Sequence, residues 1–428
     1  MALAANNIDA TEALIAAYPA PSGEGKWASD ARVRALTTLR QSGAPVRRDE
    51  YWKFTNPARL TEPAKPAAIL ETDEVPVFED TDKLLVVFVD GIFRTDLSDD
   101  LTMEGVEIET LASAMSKDIH WAADIYGVLE ANGQNPVSRP LAALNTAVAT
   151  EGLVIHVTGK ASKPIALRYI RSGADTDVMV HNVIKLDAGA DLTLLESGPA
   201  AARFNSSLEV EIADSAALHH VRTQGRDHER LAATHMFARL GKESRFKSFT
   251  VTVNGVLTRN EAVIEFTGDD AFATVSGASA GDGAYHHDDT VFVTHDALNC
   301  ESRQVFKKVL RNGATGVFQG KILVPSHAQK TDGYQIAQGM LLEDDCTFLA
   351  KPELEIYADD VICSHGSTCG AVDETALFYL TSRGVPKDQA QDMLVLAFMD
   401  ESIQEIEDTA LADEIRERLG GWVERHKD

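Results

Sequence analysis

The chain has 428 residues and a formal net charge of −26 at pH 7, from 66 acidic and 40 basic residues. A chain of this length is too long for one compact core and predicts either several units or a solenoid. The negative charge argues against a nucleic-acid partner or an anionic membrane partner. No stretch reaches the roughly 18 apolar residues that a membrane-spanning helix needs, so we expect no membrane insertion.

Four cysteines are too few for a disulfide framework and indicate a reducing compartment. The first residues, MALAANNIDATEALIAAY, lack the basic region and the long apolar run of a signal or transit peptide. From these two observations we expect a cytoplasmic protein.

Residues 1–80 are predicted to form an N-terminal helical region and a linker. Apolar residues recur at helical spacing within residues 14–18 and 31–39. The proline-rich segment TEPAKPAAILETDEVPVFEDTDK then indicates a domain boundary. From KLLVVFVDGIF onward, short β-type runs alternate with Gly, Asp and Asn, and we assign residues 81–370 to a β core.

A weak repeat in this core predicts a solenoid. Two apolar residues separated by five mostly small or polar ones recur every 26 to 28 residues, as Leu186/Leu192, Ile212/Leu218, Leu240/Phe246, Phe266/Phe272 and Phe292/Leu298. The pair Leu342/Phe348 follows after 50 residues. Flanking runs such as FKSFTVTV are rich in β-branched and aromatic residues, so the coils are strands. A parallel β-helix explains this spacing, with chance spacing in a β-sandwich as the alternative.

The segment YHHDDTVFVTH contains residue types that bind iron, zinc or manganese. Successive strand residues face opposite sides, so His286 and His287 cannot easily share one ion. Polar residues on a solvated coil face are the favoured interpretation. A metal-dependent β-helix enzyme using His287, Asp288 and His295 is the alternative.

The segment GATGVFQGKI resembles a phosphate-binding loop but has the wrong spacing. Gly316 and Gly320 are four residues apart, and Ile322 stands where a hydroxyl should follow Lys321. We therefore expect the chain neither to bind nor to hydrolyse ATP.

The segment DVICSHGSTCG places Cys363 and His365 two residues apart, on one face of a strand. This thiol and imidazole could act together, although C-x-H-x3-C is not a common zinc spacing. No third group is placed to orient His365, so a cysteine protease is unsupported. Small buried cysteines are the structural alternative.

Residues 371–428 are predicted to be helical, because apolar residues recur at period 3.6 up to the end of the chain. These helices could cap the solenoid or present an apolar stripe to another protein.

The segment KTDGYQIAQGMLLEDDCTFLAKPELEIYADDVICSHGSTCGAVDETALFYLTSRGV resembles the C-terminal core of the SufB/SufD family. These proteins are scaffold subunits of the SUF system of iron–sulfur cluster assembly. GVFQGKILV and GVLTRNEAVIEF match the same family, and the resemblance extends from about Val251 to Val385, with a weaker match across residues 140–250. The CSHG motif at Cys363–Gly366 is similar to the SufD side of the family, whereas Ser367 and Cys369 replace its usual Ala and Val.

The resemblance implies a right-handed parallel β-helix flanked by N-terminal and C-terminal α-helical segments. It implies a non-enzymatic scaffold that pairs with a SufB-like subunit through the β-helix and docks a SufC-like ATPase on residues 371–428. No cofactor is then expected in the isolated chain, only transient iron or a nascent cluster at the SufB interface. Cys363 and His365 would be partner-interface residues and candidate ligands, and the isolated chain is expected to form a homodimer.

Overall fold

The computed structural model describes residues 5–64, 68–70, 76–225 and 229–426. Part of the predicted linker, residues 65–67 and 71–75, lies outside this range. The first half contains helices and short strands, which are α1 (Ala5–Ala16), α2 (Lys26–Ser42), α3 (Ala58–Thr61), β1 (Leu84–Val89), β2 (Ile92–Phe93), β3 (Val106–Thr110), α4 (Leu111–Met115), α5 (Leu129–Asn132) and α6 (Pro140–Val148). Helices therefore also occur within the predicted β core.

Long parallel strands follow, and three helices end the chain. The strands are β4 (Leu153–Val157), β5 (Ile165–Ile170), β6 (Asp177–Leu186), β7 (Asp191–Ser197), β8 (Arg203–Ile212), β9 (Ala217–Gln224), β10 (Leu231–Leu240), β11 (Arg245–Val253), β12 (Leu257–Phe266), β13 (Phe272–Asp282), β14 (His286–His295), β15 (Glu301–Arg311), β16 (Thr315–Val324), β17 (Asp332–Leu341), β18 (Thr347–Ile356) and β19 (Ile362–Gly370). The helices are α7 (Glu374–Thr381), α8 (Lys387–Ile403) and α9 (Thr409–Arg425).

Two parallel sheets stack these strands into a solenoid. Sheet A runs β2, β1 and then the odd-numbered strands from β5 to β19, and sheet B runs β3 and then the even-numbered strands from β4 to β18. Each coil thus contributes one strand to each sheet, and every strand pairs in parallel with its equivalent one coil away. The predicted parallel β-helix with flanking helices is confirmed.

The repeat that predicted the solenoid is real over its first coils. Leu186, Ile212, Leu240 and Phe266 are paired in register at the end of successive sheet B strands, and they belong to the core between the sheets. The next partner is His295 and not Phe292, because the coil lengthens from 26 to 29 residues at this point. The extension to Phe292/Leu298 is therefore wrong. Leu342/Phe348 lies at the opposite corner, between β17 and β18.

The corner between sheets B and A repeats one backbone device. A residue with positive φ stands there in successive coils, at Gly189, Ser215, Glu243, Asp270, Asn299 and Lys330. Each donates its N–H to a carbonyl of the next coil, as Ser215 does to Lys242 at 2.7 Å. The hydrogen bond offsets the cost of a left-handed conformation in a residue other than glycine.

The flanking helices pack on the outer faces of the two sheets. Residues of α2 and α4–α6 join Val154, Val183 and Phe237 of sheet B in apolar clusters. Helices α8 and α9 bury Met399, Ile415 and neighbouring residues against sheet A. The C-terminal helices therefore lie along the side of the solenoid and do not cap its end. No helix in the described part of the chain is long and apolar enough to span a bilayer.

Candidate functional site

The C-terminal end of the solenoid exposes strand edges. Strands β18 and β19 are the terminal strands of sheets B and A, so each is paired on one side only within the described residues. Apolar side chains surround this end, with Ile362 74%, Phe378 72% and Tyr357 61% exposed. Helix α7, which carries Phe378, buries no residue. An unpaired edge beside exposed apolar side chains favours association with another chain.

Cys363 and His365 both lie on β19, at this open end. Cys363 is half-buried and packs against Ile322, Val324 and their neighbours, whereas His365 is exposed. Their alternation along the strand places both side chains on its inner face, two residues apart. The structure therefore brings the predicted pair to one surface.

The chemistry of Cys363 is set by its partial burial. Burial raises the pKa of the Cys363 thiol, and the nearby Asp332 carboxylate raises that pKa further. A hydrogen bond involving the backbone of Gly333 opposes this shift. The thiol is therefore largely protonated at neutral pH in the isolated chain, and a cation must displace the proton to bind sulfur.

The alternative metal trio is not brought together. His287 and His295 point to the core side of β14, where His287 Nε2 lies 2.7 Å from the Asn254 carbonyl oxygen and His295 Nε2 lies 2.9 Å from Ser302 Oγ. Burial lowers the pKa of each of these histidines to about 3. Asp288 faces the other side of the strand. Within the described residues, no three His, Cys, Asp or Glu side chains are grouped to hold a metal ion.

Asp288 instead anchors the N-terminal region to sheet B. Its Oδ2 accepts hydrogen bonds from Arg259 Nη1 and Thr55 Oγ1, both at 2.5 Å. The Arg259 guanidinium lies 4.1 Å from the centre of the Trp52 ring, and it also pairs with Glu261. This buried network explains the polar residues of β14 by packing, without a ligand.

The glycines of the phosphate-loop-like segment lie within a strand. Gly316 and Gly320 belong to β16, and Lys321 forms an ion pair with Glu355 at 2.5 Å. A phosphate loop requires a turn that aims several N–H groups at one anion, and an extended strand does not provide it.

A groove of about 340 Å³ runs between the outer sides of α8 and α9. Leu396, Ala397, Ile403 and Leu419 line it together with the ion-paired Asp400 and Arg416. Met393, one turn before Leu396, is 46% exposed. The C-terminal helices thus bury one face on sheet A and leave an apolar groove on the other.

Comparison with known proteins identifies the family. A family model described as SUF system FeS cluster assembly, SufBD core domain, matches residues 169–398, and one for the SufBD protein N-terminal region matches residues 22–167. The chain belongs to the SufBD family. The core match covers β6 to β19 and most of α8, so it includes the open end of the solenoid.

Individual SufBD proteins are similar over nearly the whole chain. The iron–sulfur cluster assembly protein SufD of Escherichia coli is 27% identical over 93% of this chain and 93% of its own length. SufD of Bacillus subtilis is 24% identical, with 90% and 91% covered. A SufBD family protein of Synechocystis is 26% identical, with 87% and 86% covered. The chain is thus a SufD homologue in iron–sulfur cluster assembly.

Two features of this SufBD end escaped the sequence analysis. Phe378 was not singled out as an exposed aromatic, because its helical pattern gives no sign of what covers it. Gln304 and Gln335 stand behind His365 in the same ladder. Their spacing of 31 and 30 residues matches the coil length, so aligning residues by coil would have grouped them.

Proposed function

We propose that this chain is a non-catalytic scaffold subunit of a SUF assembly complex. It pairs with a SufB-like subunit through the open end of its solenoid and docks a SufC-like ATPase through its C-terminal helices. The observation that carries the proposal is the end formed by β18 and β19, where unpaired strand edges, exposed apolar residues and the Cys363–His365 pair coincide.

The open end is suited to a partner with the same architecture. A second parallel solenoid can continue both sheets by pairing its own terminal strands with β18 and β19. Such pairing satisfies the exposed backbone groups and covers Ile362 and Tyr357 together. SufB-like subunits share the family of this chain, which makes them the natural partner.

Iron or a nascent cluster is the cargo of this interface and not a resident cofactor. A thiolate and an imidazole are ligands that ferrous iron accepts. Cys363 and His365 supply two ligands at most, so the remaining ligands must come from the partner. The scaffold therefore holds cargo only when the interface is formed.

The C-terminal groove supports a separate docking site. It lies on the side of α8 and α9 that faces away from sheet A, and it combines apolar residues with the Asp400–Arg416 pair. Apolar grooves with a polar margin are typical of protein interfaces. Because the groove and the open end are formed by different elements, the two partners can bind at the same time.

Co-expression of the tagged chain with a SufB-like and a SufC-like subunit from the same source tests the proposal. Native mass spectrometry of the purified material should show all three chains in one complex. The isolated chain should contain no stoichiometric iron, zinc or manganese by elemental analysis. Recovery of the chain without either partner would refute the scaffold assignment, and stoichiometric metal in the isolated chain would favour a metal-dependent enzyme.

A further inference from the structure

One rung of sheet A leads from the interior of the solenoid to His365. Gln304 of β15 is paired with Gln335 of β17, and Gln335 is paired with His365 of β19. Phe306 and Ala337, two residues further along the same strands, belong to the core between the sheets. The two glutamines therefore point into the interior, where both are fully buried, and His365 continues their row at the open end.

The two glutamine side chains are held against each other. Gln335 Nε2 donates a hydrogen bond to Gln304 Oε1 at 2.8 Å. On the facing sheet, Gly320 leaves the space that the Gln335 amide occupies, since a Cβ at this position would lie 2.3 Å from Gln335 Nε2. The position of the Gln335 amide is thus fixed on two sides.

The remaining polar atoms of this row lack partners. Gln335 Oε1 is buried and accepts no hydrogen bond from any described residue. A buried amide oxygen without a donor is rare and destabilising. The imidazole of His365 likewise has no hydrogen-bond partner among the residues that the structure describes. Adjacent strands are about 4.8 Å apart, so a rotation of the exposed ring brings its N–H within reach of Gln335 Oε1.

We propose that Gln335 positions His365 by accepting a hydrogen bond from one ring N–H through its Oε1 atom. The bond fixes the tautomer, so the other ring nitrogen is unprotonated and faces the open end. Histidines that bind metals commonly donate their second N–H to a carbonyl oxygen in this way. The inference rests on the proposed function for the role of His365 as an iron ligand. Gln335 is a positioning residue, since it acts on iron only through the imidazole.

The tautomer of His365 tests the hydrogen bond directly. The full chain, labelled with 15N-histidine, is studied by NMR, and the His365 signals are assigned as those that His365→Ala removes. The wild-type chain should show one dominant tautomer, Gln335→Met a mixture of both, and Gln335→Glu the wild-type tautomer, because the carboxyl also accepts. Identical His365 signals in the wild type and in Gln335→Met would overturn the proposal, whatever the role of His365 in assembly.

Ferrous iron affinity of the co-expressed complex gives the functional readout. Loss of the hydrogen bond should weaken iron binding by about 10- to 100-fold in Gln335→Met, with recovery in Gln335→Glu. Gln319→Met is the matched control, since Gln319 is a fully buried amide that donates to the Tyr51 carbonyl, far from His365 in the fold. Wild-type affinity in Gln335→Met, together with loss of binding in His365→Ala, would overturn the positioning role and leave the proposed function standing. Wild-type affinity in His365→Ala would instead contradict the proposed function.

Discussion

His365 is the residue of the open end that is best placed to meet a partner and its cargo. The side chain is exposed, and it lies on the terminal strand of sheet A. We predict that His365→Ala leaves the fold and the complex intact but reduces the yield of iron–sulfur cluster at least tenfold. The yield is read from visible absorbance after the complex is supplied with ferrous iron and sulfide. A wild-type yield would show that the CSHG motif is structural only.

Cys363 is expected to matter less than His365 for the same measurement. Burial raises the pKa of its thiol, so the reactive thiolate is scarce at neutral pH. The side chain also fills space beside Ile322 and Val324. Cys363→Ser should therefore lower cluster yield only a few-fold, and Cys369→Ser, at an exposed position of the same strand, is the control. A larger loss in Cys363→Ser than in His365→Ala would reverse this ranking.

Glu130 gives the fold a pH dependence that can be isolated by one substitution. Burial raises the pKa of its carboxyl to about 7, the Glu209 carboxylate raises it further, and the hydrogen bond from Gln134 opposes the shift. The folded state thus holds this proton more tightly than the unfolded state does. Its contribution to stability is complete below the unfolded pKa near 4.5 and is lost as the pH rises through about 7.

We therefore predict that Glu130→Gln stabilises the chain at pH 8 relative to the wild type, by on the order of 2 kcal/mol more than at pH 5. Thermal unfolding at both pH values, with exposed Glu424→Gln as the control, measures the difference. Parallel pH profiles of the wild type and Glu130→Gln would contradict the prediction.

Residue chemistry was only partly predictable from the sequence. The strand alternation that grouped Cys363 with His365 also separated His287 from Asp288, and both inferences used nothing but local spacing. The partners of Asp288 could not be inferred, because Thr55 and Arg259 reach it from distant parts of the chain. Local spacing indicates which side of a strand a residue occupies, but not what covers that side.

The same limit holds for whole elements. Coil length is a local property, so the repeat revealed the solenoid until the change to 29 residues at His295 broke the count. Helical periodicity indicated that α8 and α9 bury one face, but it could not show that this face packs on sheet A. Deleting these helices would expose apolar residues of the sheet and cause aggregation, so a surface substitution is the better test of docking.

Met393 on α8 is the position at which we predict the docking of the SufC-like ATPase to be most easily broken. Met393→Asp places a charge at the edge of the apolar groove and should reduce retention of that subunit at least tenfold without lowering Tm. Ile119→Asp is the matched control, since Ile119 is 92% exposed in the N-terminal half. Retention is measured by pull-down from co-expressed material. Equal retention by the two variants would place the docking surface elsewhere.

At the scale of the whole molecule, we predict that the chain does not bind ATP. The glycines of its phosphate-loop-like segment lie in β16, in which Lys321 is paired with Glu355. Calorimetric titration of the purified chain with Mg–ATP should give no saturable heat. The complex with a SufC-like subunit serves as the positive control. Saturable binding by the isolated chain would contradict the scaffold assignment.

The last prediction concerns the state of the isolated chain, whose open end lacks its partner. We expect weak self-association through β19 at tens of micromolar, because two copies can pair their free edges. The Ile362 N–H donates to the Thr331 carbonyl of sheet A, so alternation directs the N–H of Ser367 to the open edge.

Ser367→Pro should therefore remove an edge donor without breaking the ladder to β17, and it should leave Tm nearly unchanged. Analytical ultracentrifugation should show dimers for the wild type and for Ser367→Ala, which keeps the N–H, but monomers for Ser367→Pro. The same substitution should weaken binding of the SufB-like subunit, since both partners compete for one edge. A monomeric wild type, or a Ser367→Pro variant that dimerises normally, would show that the open edge does not mediate self-association.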